Sequence, residues 1–436
     1  MKFKASRIDI TPEFPTRLTG MKIQETHQGL YSRLEMNAFL FYCAGRKVIL
    51  IGIDTLFIST ELKEYTLKLV RLHEEGIKDE DLILIATHTH FAPSLERKRV
   101  GLGACDTVYF EFLCKRMELL LKQLADASFQ DVDLEVSEGR SNGLTCNRRR
   151  FVRNWRTYFK PFISMEPNLK GYKNEEFKLI KVVETSALRS VTALIWSFPC
   201  HPTNLYDSRL MSSEFPGEIR KWVREKEGNS DVPIIYLPGF AGDVRAFPPK
   251  RFSISKLFRT IFQLPYPVKF YRFVDKQEYT NWVNSVELAF NAIWTSSSKV
   301  ISLVDASFET VLVKKDVRKL GIQSEEVDEL YFRRINWGNS LGIYTISAEP
   351  VSGYSLMLKQ IASEQFYIVT GYSDVVFGYL PTNKQIEEGG YESKGHFKNF
   401  LISGEFNLSV EKEIESGFMQ LITPRMNYGD IDNEKP

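Results

Sequence analysis

Cysteine is scarce and unordered in this chain of 436 residues. The five, Cys43, Cys105, Cys114, Cys146 and Cys200, contain no CxxC pair. An odd, scattered set fits a reducing compartment better than a disulfide framework. Net charge is only +2, which gives no global field for nucleic acid or an acidic partner. No window approaches the ~20 apolar residues that cross a bilayer, and the N-terminus lacks the apolar core of a secretory signal. The expectation is a soluble, cytoplasmic protein that binds no nucleic acid. Internal repeats and low-complexity linkers are missing too, so one domain over 1–436 is expected. With 43% hydrophobic and 26% charged residues, the chain has ample material for a core.

Histidine is also sparse, six in all, yet two stand together in Leu82-Ile83-Leu84-Ile85-Ala86-Thr87-His88-Thr89-His90. The apolar run reads as a buried strand. If the strand continues, alternation points His88 and His90 to one side. Two imidazoles at a strand end either hold a divalent metal or cap the strand by hydrogen bonds. His201 repeats the arrangement, following the apolar run 192–198 in Pro199-Cys200-His201-Pro202. Two strand ends presenting histidines favour a shared site. Glu349 is a carboxylate at the exit of a third apolar run, 341–348, and otherwise caps a helix beginning near Ser352.

Elsewhere, 34–43 and 47–53 read as a hairpin about Ala44-Gly45-Arg46, and 61–76 as an amphipathic helix ending at Gly76. The strand 82–86 then makes a β-α-β pattern, which favours a parallel or mixed sheet. Helices are expected at 108–124, 218–226, 278–294 and 406–421, and a charged helix at 314–334. Arg148, Arg149 and Arg150 read as a solvated basic patch, or as a guanidinium that holds a carbonyl or carboxylate. Asp54 and Asp243, at strand exits, are candidates to orient an imidazole. The glycine-rich turn 238–244 lacks phosphate-loop spacing and excludes nucleotide binding. Basic and large apolar residues interleave over 250–275, as an amphipathic lid, an interfacial helix in contact with a membrane surface, or a core-packing insertion.

Taken in order, Asp-Ile-Thr-Pro (9–12), Thr-His-Thr-His (87–90), Asn-Arg-Arg (147–149), Cys-His-Pro-Thr-Asn (200–204), Glu-Phe-Pro-Gly (214–217), Gly-Phe-Ala-Gly-Asp-Val (239–244), Ala-Glu-Pro (348–350), Gly-Tyr-Leu-Pro-Thr-Asn (378–383) and Gly-Gly-Tyr-Glu (389–392) resemble the neutral/alkaline, non-lysosomal ceramidase family. The resemblance spans about residues 5–425 and concerns the catalytic domain, without the immunoglobulin-like domain that ceramidases append. It implies an α/β domain of mixed sheets with flanking helices. It also implies a zinc-dependent hydrolase in which zinc-bound water attacks an acyl amide, a lipid being one candidate. The ligands implied are His88, His201, Glu349 and Tyr379. His90 would serve as base and then acid, and Arg148 and Tyr391 would contact the amide or its oxyanion. One departure is informative: Arg245 stands where the family carries a serine, which excludes a serine nucleophile there. A zinc esterase or deacetylase would share every ligand, and a non-catalytic relative would only bind ligand. Sequence carries no statement about oligomers.

Overall fold

The computed structural model describes residues 1–20, 26–153, 160–186, 189–247, 273–301 and 307–422. The basic and apolar stretch 250–275 lies outside them except for 273–275. In chain order the strands that matter here are β1 (Lys2–Asp9), β2 (Glu35–Cys43), β3 (Arg46–Ile53), β4 (Leu82–Ala86), β5 (Gln130–Arg140), β6 (Thr145–Val152), β7 (Phe162–Asn168), β8 (Glu176–Glu184), β9 (Val191–Ser197), β10 (Ile234–Leu237), β11 (Val244–Ala246), β12 (Lys299–Ile301), β13 (Phe308–Asp316), β14 (Glu329–Trp337), β15 (Leu341–Ile346), β16 (Glu349–Pro350), β17 (Phe366–Thr370) and β18 (Tyr379–Leu380). The larger helices are α1 (Thr60–His73), α2 (Thr107–Asp126), α3 (Phe215–Glu227) and α4 (Lys276–Trp294).

A nine-stranded mixed sheet runs β10-β9-β8-β5-β1-β2-β3-β4, with β12 added beside β5. A four-stranded sheet runs β13-β14-β15-β17, and a three-stranded one β11-β6-β7. The large sheet folds over on itself. β10, at one end of the order, covers β3 near the other, so closely that a Cβ on Gly52 would meet Ile235 at 3.0 Å. The space between is filled by Phe39, Phe41, Leu50 and Ile83 from one half, Val132, Ile180, Ile195 and Ile235 from the other, and Ile335, Ile343 and Ile368 from the four-stranded sheet. This shared core explains why β4 and β15 read as unbroken apolar runs: both of their faces are covered.

Local chemistry sets the elements. The β2–β3 hairpin turns through Ala44 and Gly45 at φ 49° and 78°, the two-residue primed turn that matches strand twist. Asp106 caps α2 by accepting from the Val108 and Tyr109 amides. The helix then buries Leu113, Met117, Leu120 and Leu124 in the apolar cluster that includes Ile8 of β1 and Met36, Ala38 and Leu40 of β2. α3 and α4 supply Phe215, Trp282, Phe290 and Trp294 to an aromatic cluster on the other side of the sheet.

Three expectations fail. The charged segment 314–334 is not an α-helix: its ends belong to β13 and β14, an antiparallel pair in register from Phe308↔Trp337 to Asp316↔Glu329, and between them lie only a single 3₁₀ turn at Val317–Leu320 and a short strand at Ile322–Ser324. Its charges mimic a solvated helix, but the two arginines at its end are buried and paired, Arg333 with Asp374 and Arg334 with Glu364. Helix α1 stops at His73 with Glu74 in extended conformation, before Gly76. And although β4 ends at Ala86 as expected, the chain turns at His88, so the strand alternation expected for His88 and His90 does not hold.

Strand exits lie together at the carboxyl ends of three parallel pairs, β3/β4, β9/β10 and β15/β17. Backbone bonds knit them: Ala86 N–H donates to Tyr372 O, Gly371 N–H to Gly239 O, and Gly242 N–H to Pro350 O. Carboxyl ends of parallel strands are where α/β folds build ligand sites. Among the described residues no helix is long and apolar enough to cross a membrane.

Candidate metal centre

Past Ala86 the chain turns sharply. His88 adopts φ 62°, a left-handed conformation that costs a non-glycine residue about 1–3 kcal/mol and persists only where neighbours enforce it. The kink replaces the strand alternation expected for His88 and His90, and their rings still meet, Nε2 to Nε2 at 3.3 Å. His201, past β9, brings its Nε2 to 2.9 Å from that of His88. Glu349, past β15, places Oε2 3.2 Å from His88 Nε2 and 3.7 Å from His201 Nε2. His88, His201 and Glu349 are each 1% exposed, and His90 is half-buried.

Protons are accounted for by the far side of each ring. Nδ1 of His88 lies 3.0 Å from Leu56 O, that of His201 3.1 Å from Ala241 O, and that of His90 3.0 Å from Gly20 O. A carbonyl only accepts, so each Nδ1 carries the hydrogen and each Nε2 presents a lone pair. Three lone pairs and a carboxylate oxygen thus converge with no proton among them, and Glu349 Oε2 accepts no hydrogen bond. An arrangement of acceptors alone is repulsive, and a cation between them would relieve it. A tetrahedral zinc with bonds of roughly 2.0–2.2 Å holds its donors about 3.3–3.6 Å apart. The separations here bracket that spacing, so the donor set fits a divalent ion. The three-histidine cluster, with ligand atoms within 4.8 Å of one another, can coordinate a metal. Burial, then the neighbouring His88, hold both His90 and His201 well below the ordinary imidazole pKa.

Asp54 and Asp243 do not orient these imidazoles. Asp54 binds Thr87 Oγ1, the Glu35 amide and Arg220. Asp243 accepts from Asn147 Nδ2, Gln385 Nε2 and the Ser352 amide. Backbone carbonyls take the orienting role instead.

Tyr379 pairs with Glu349 in the short parallel ladder β16/β18. Its ring stands 5.4 Å from that of Tyr391 and lies under Arg148, whose Cζ is 5.3 Å from the Tyr379 centroid and 5.6 Å from that of Tyr391. Arg148 and Arg149 are each 4% exposed, so only Arg150 of the arginine run is solvated. Arg148 Nε donates to Glu392 Oε1 at 2.7 Å, and Arg149 Nη1 to Oε2 at 2.6 Å. Burial alone would raise the Glu392 carboxyl, but the two guanidinium groups outweigh it and hold the pKa below its ordinary value. Arg148 Nη2 is buried with no hydrogen-bond partner.

Two residues at the centre carried no sequence signal that singled them out. Tyr372 is fully buried at φ 59°, with its ring 4.3 Å from His88 and its hydroxyl unpartnered. His396 accepts from the Tyr379 amide through Nε2 at 3.3 Å, and its Nδ1 lies 3.1 Å from Tyr391 O. Burial lowers its pKa to about 4, so it stays neutral and ties the two tyrosine segments together. Its place five residues after Tyr391, in the same glycine-flanked turn, was the available hint.

Comparison with solved structures gives the architecture a precedent. The neutral ceramidase of Pseudomonas aeruginosa superposes with a TM-score of 0.73 at 14% identity, covering 96% of this chain and 73% of that one. A ceramidase solved in complex with C2 superposes with a TM-score of 0.70, also at 14% identity, over 96% of this chain and 74% of that one. The chain has the ceramidase fold. No protein-family model and no curated protein matches the sequence itself. The ceramidase-like fold and the three-histidine cluster are together consistent with a hydrolase.

Proposed function

We propose that the chain is a zinc-dependent amidohydrolase that cleaves small acyl amides, lipid-like ones included. The observation that carries this reading is the convergence of His88, His201 and Glu349, lone pairs inward and protons outward, in a ceramidase-like fold. His88, His201, Glu349 and Tyr379 are assigned to hold the metal. Among the described residues, His88 and His201 are the imidazoles in ion-pair contact with Glu349.

Zinc supplies a Lewis acid and brings the pKa of water to about 7. The rest falls to the protein. His90, the half-buried imidazole, takes a proton from the attacking water at Nε2 while Gly20 O fixes Nδ1. It then delivers that proton to the departing nitrogen as the carbon–nitrogen bond breaks and the carbon–oxygen bond is complete. Arg148 Nη2 offers its N–H to the developing oxyanion. Burial, chiefly, raises the Tyr391 phenol to about 12, so it remains a donor at neutral pH beside Arg148. Five cysteines, all free, support a reducing compartment such as the cytoplasm.

The test is turnover of matched N-acyl amides and O-acyl esters before and after chelation. Amide cleavage should vanish with the metal and return with zinc. His90→Ala should lower kcat about 10²–10⁴-fold with zinc retained. Cleavage of esters alone would replace the amidase reading with an esterase one, and chelator-insensitive turnover would overturn the metal chemistry.

A further inference from the structure

Tyr372 joins two of the strand exits that carry candidate ligands. Its amide donates to Ala348 O at 2.9 Å, one residue before Glu349, and its carbonyl accepts from Ala86 N–H at 3.0 Å, two residues before His88. The bridge Ile85↔Ser373, and the Asp374 amide on Leu84 O at 2.8 Å, continue the contact along β4. The preceding residue is pressed on the other exit: a Cβ on Gly371 would stand 2.6 Å from Ala348 O. These ties hold Tyr372 at φ 59°, a left-handed conformation that a tyrosine keeps only where its neighbours enforce it.

The side chain lies against the metal centre. Its ring is 4.3 Å from that of His88 at an interplanar angle of 34°, and Phe57 meets the same imidazole at 5.0 Å and 52°. Leu56 O fixes the Nδ1 edge of His88, and the two aromatic rings restrict its rotation. The Tyr372 hydroxyl is buried and has no hydrogen-bond partner. Glu349 Oε2 is likewise buried and accepts no hydrogen bond. Among charged groups, Glu349 acts most strongly on this hydroxyl, ahead of Arg148. A donor without an acceptor thus stands in the field of an acceptor without a donor. Phenylalanine would fill the same volume without burying an unsatisfied hydroxyl. Packing therefore gives no account of the oxygen.

We infer that Tyr372 is a positioning residue of the metal centre: its ring holds the plane of His88, and its hydroxyl donates to the Glu349 carboxylate when the metal is held. Ligating imidazoles and carboxylates are oriented by such outer partners, and losing one weakens metal affinity about 10–100-fold. Backbone carbonyls play this part for His88 and His201. Tyr372 plays it for Glu349. The inference rests on the metal assignment proposed above, but not on the reaction.

The experiment uses the full chain as wild type, as Tyr372→Phe, which keeps the ring, and as Tyr372→Leu, which removes it as well. The zinc Kd is measured by competition with a chelator, and the melting temperature is taken on each metal-stripped protein. Stripped Tyr372→Phe should melt no lower than wild type, because the hydroxyl it lacks has no partner there. Its zinc Kd should rise about tenfold, and that of Tyr372→Leu about tenfold further. The visible absorption of the cobalt-substituted protein should also shift in Tyr372→Phe. A residue that only packs would instead lower the melting temperature and leave Kd unmoved. A Kd for Tyr372→Phe within about twofold of wild type overturns the role of the hydroxyl, and equal Kd in the two variants overturns that of the ring. Should Tyr372→Leu not fold, Tyr372→Phe decides. A wild type that binds no zinc removes the metal assignment and this inference together. Zinc held tightly by the wild type and weakly by Tyr372→Phe, with no turnover of any amide, would remove the hydrolase reading and leave this one standing.

Discussion

Single residues at this site are held in states that water would not allow. Glu214 is one outside the metal cluster. It is fully buried at the start of α3 with φ 62°, its Oε1 lacks a partner, and burial raises its carboxyl to about 8. The folded value lies above that of an unfolded glutamate, so folding favours the protonated acid. Its stabilising contribution is complete below about pH 4.5 and is lost as pH rises through about 8. Glu214→Gln, which cannot ionise, should melt higher than wild type at pH 9, by an amount of the order of a few kcal/mol, and the gap should close by pH 5. A gap that stays constant across that range would show that the acid is not buried as described. His88 and Tyr372 make the same point with backbone strain, both left-handed and ring against ring.

At the scale of elements, the site depends on strand exits held at close approach. Gly242 is the tightest joint: a Cβ there would stand 2.8 Å from Glu349 O and 2.9 Å from Pro350 O, both backbone atoms that cannot rotate away. Gly242→Ala should push the β16 ladder outward, lower stability by about 1–3 kcal/mol, and cut zinc content to less than half that of wild type. Full zinc with an unchanged melting temperature would contradict it. This joint also shows what sequence conveys and what it does not. The apolar runs before His88, His201 and Glu349 marked three strand exits, because strands covered on both faces need unbroken hydrophobicity. That the chain would turn left-handed at His88 instead of holding strand alternation was invisible, since Thr87 suits a strand as well as a turn. The β13–β14 hairpin was hidden because Arg333 and Arg334 find Asp374 and Glu364, partners distant in sequence. Tyr372 and the carbonyls of Leu56, Ala241 and Gly20 escaped notice for the same reason: a backbone acceptor has no residue signature.

For the whole molecule, the claim is that five segments far apart in the chain fold to one point. Leu56, His88, His201, Ala241 and Glu349 come from separate strand exits, and each contributes a donor or fixes one. Without a cation, Glu349 Oε2 and the imidazole lone pairs face one another at residues almost fully buried, a destabilising arrangement. Metal should therefore be bound by the folded state alone and stabilise it by mass action. The most direct measurement is the zinc-to-protein ratio, by elemental mass spectrometry, of the wild type beside His88→Ala, His201→Ala and Glu349→Ala. Near one zinc per chain in the wild type, and little in any variant that still folds, is the predicted result; as much zinc in the variants as in the wild type would contradict it.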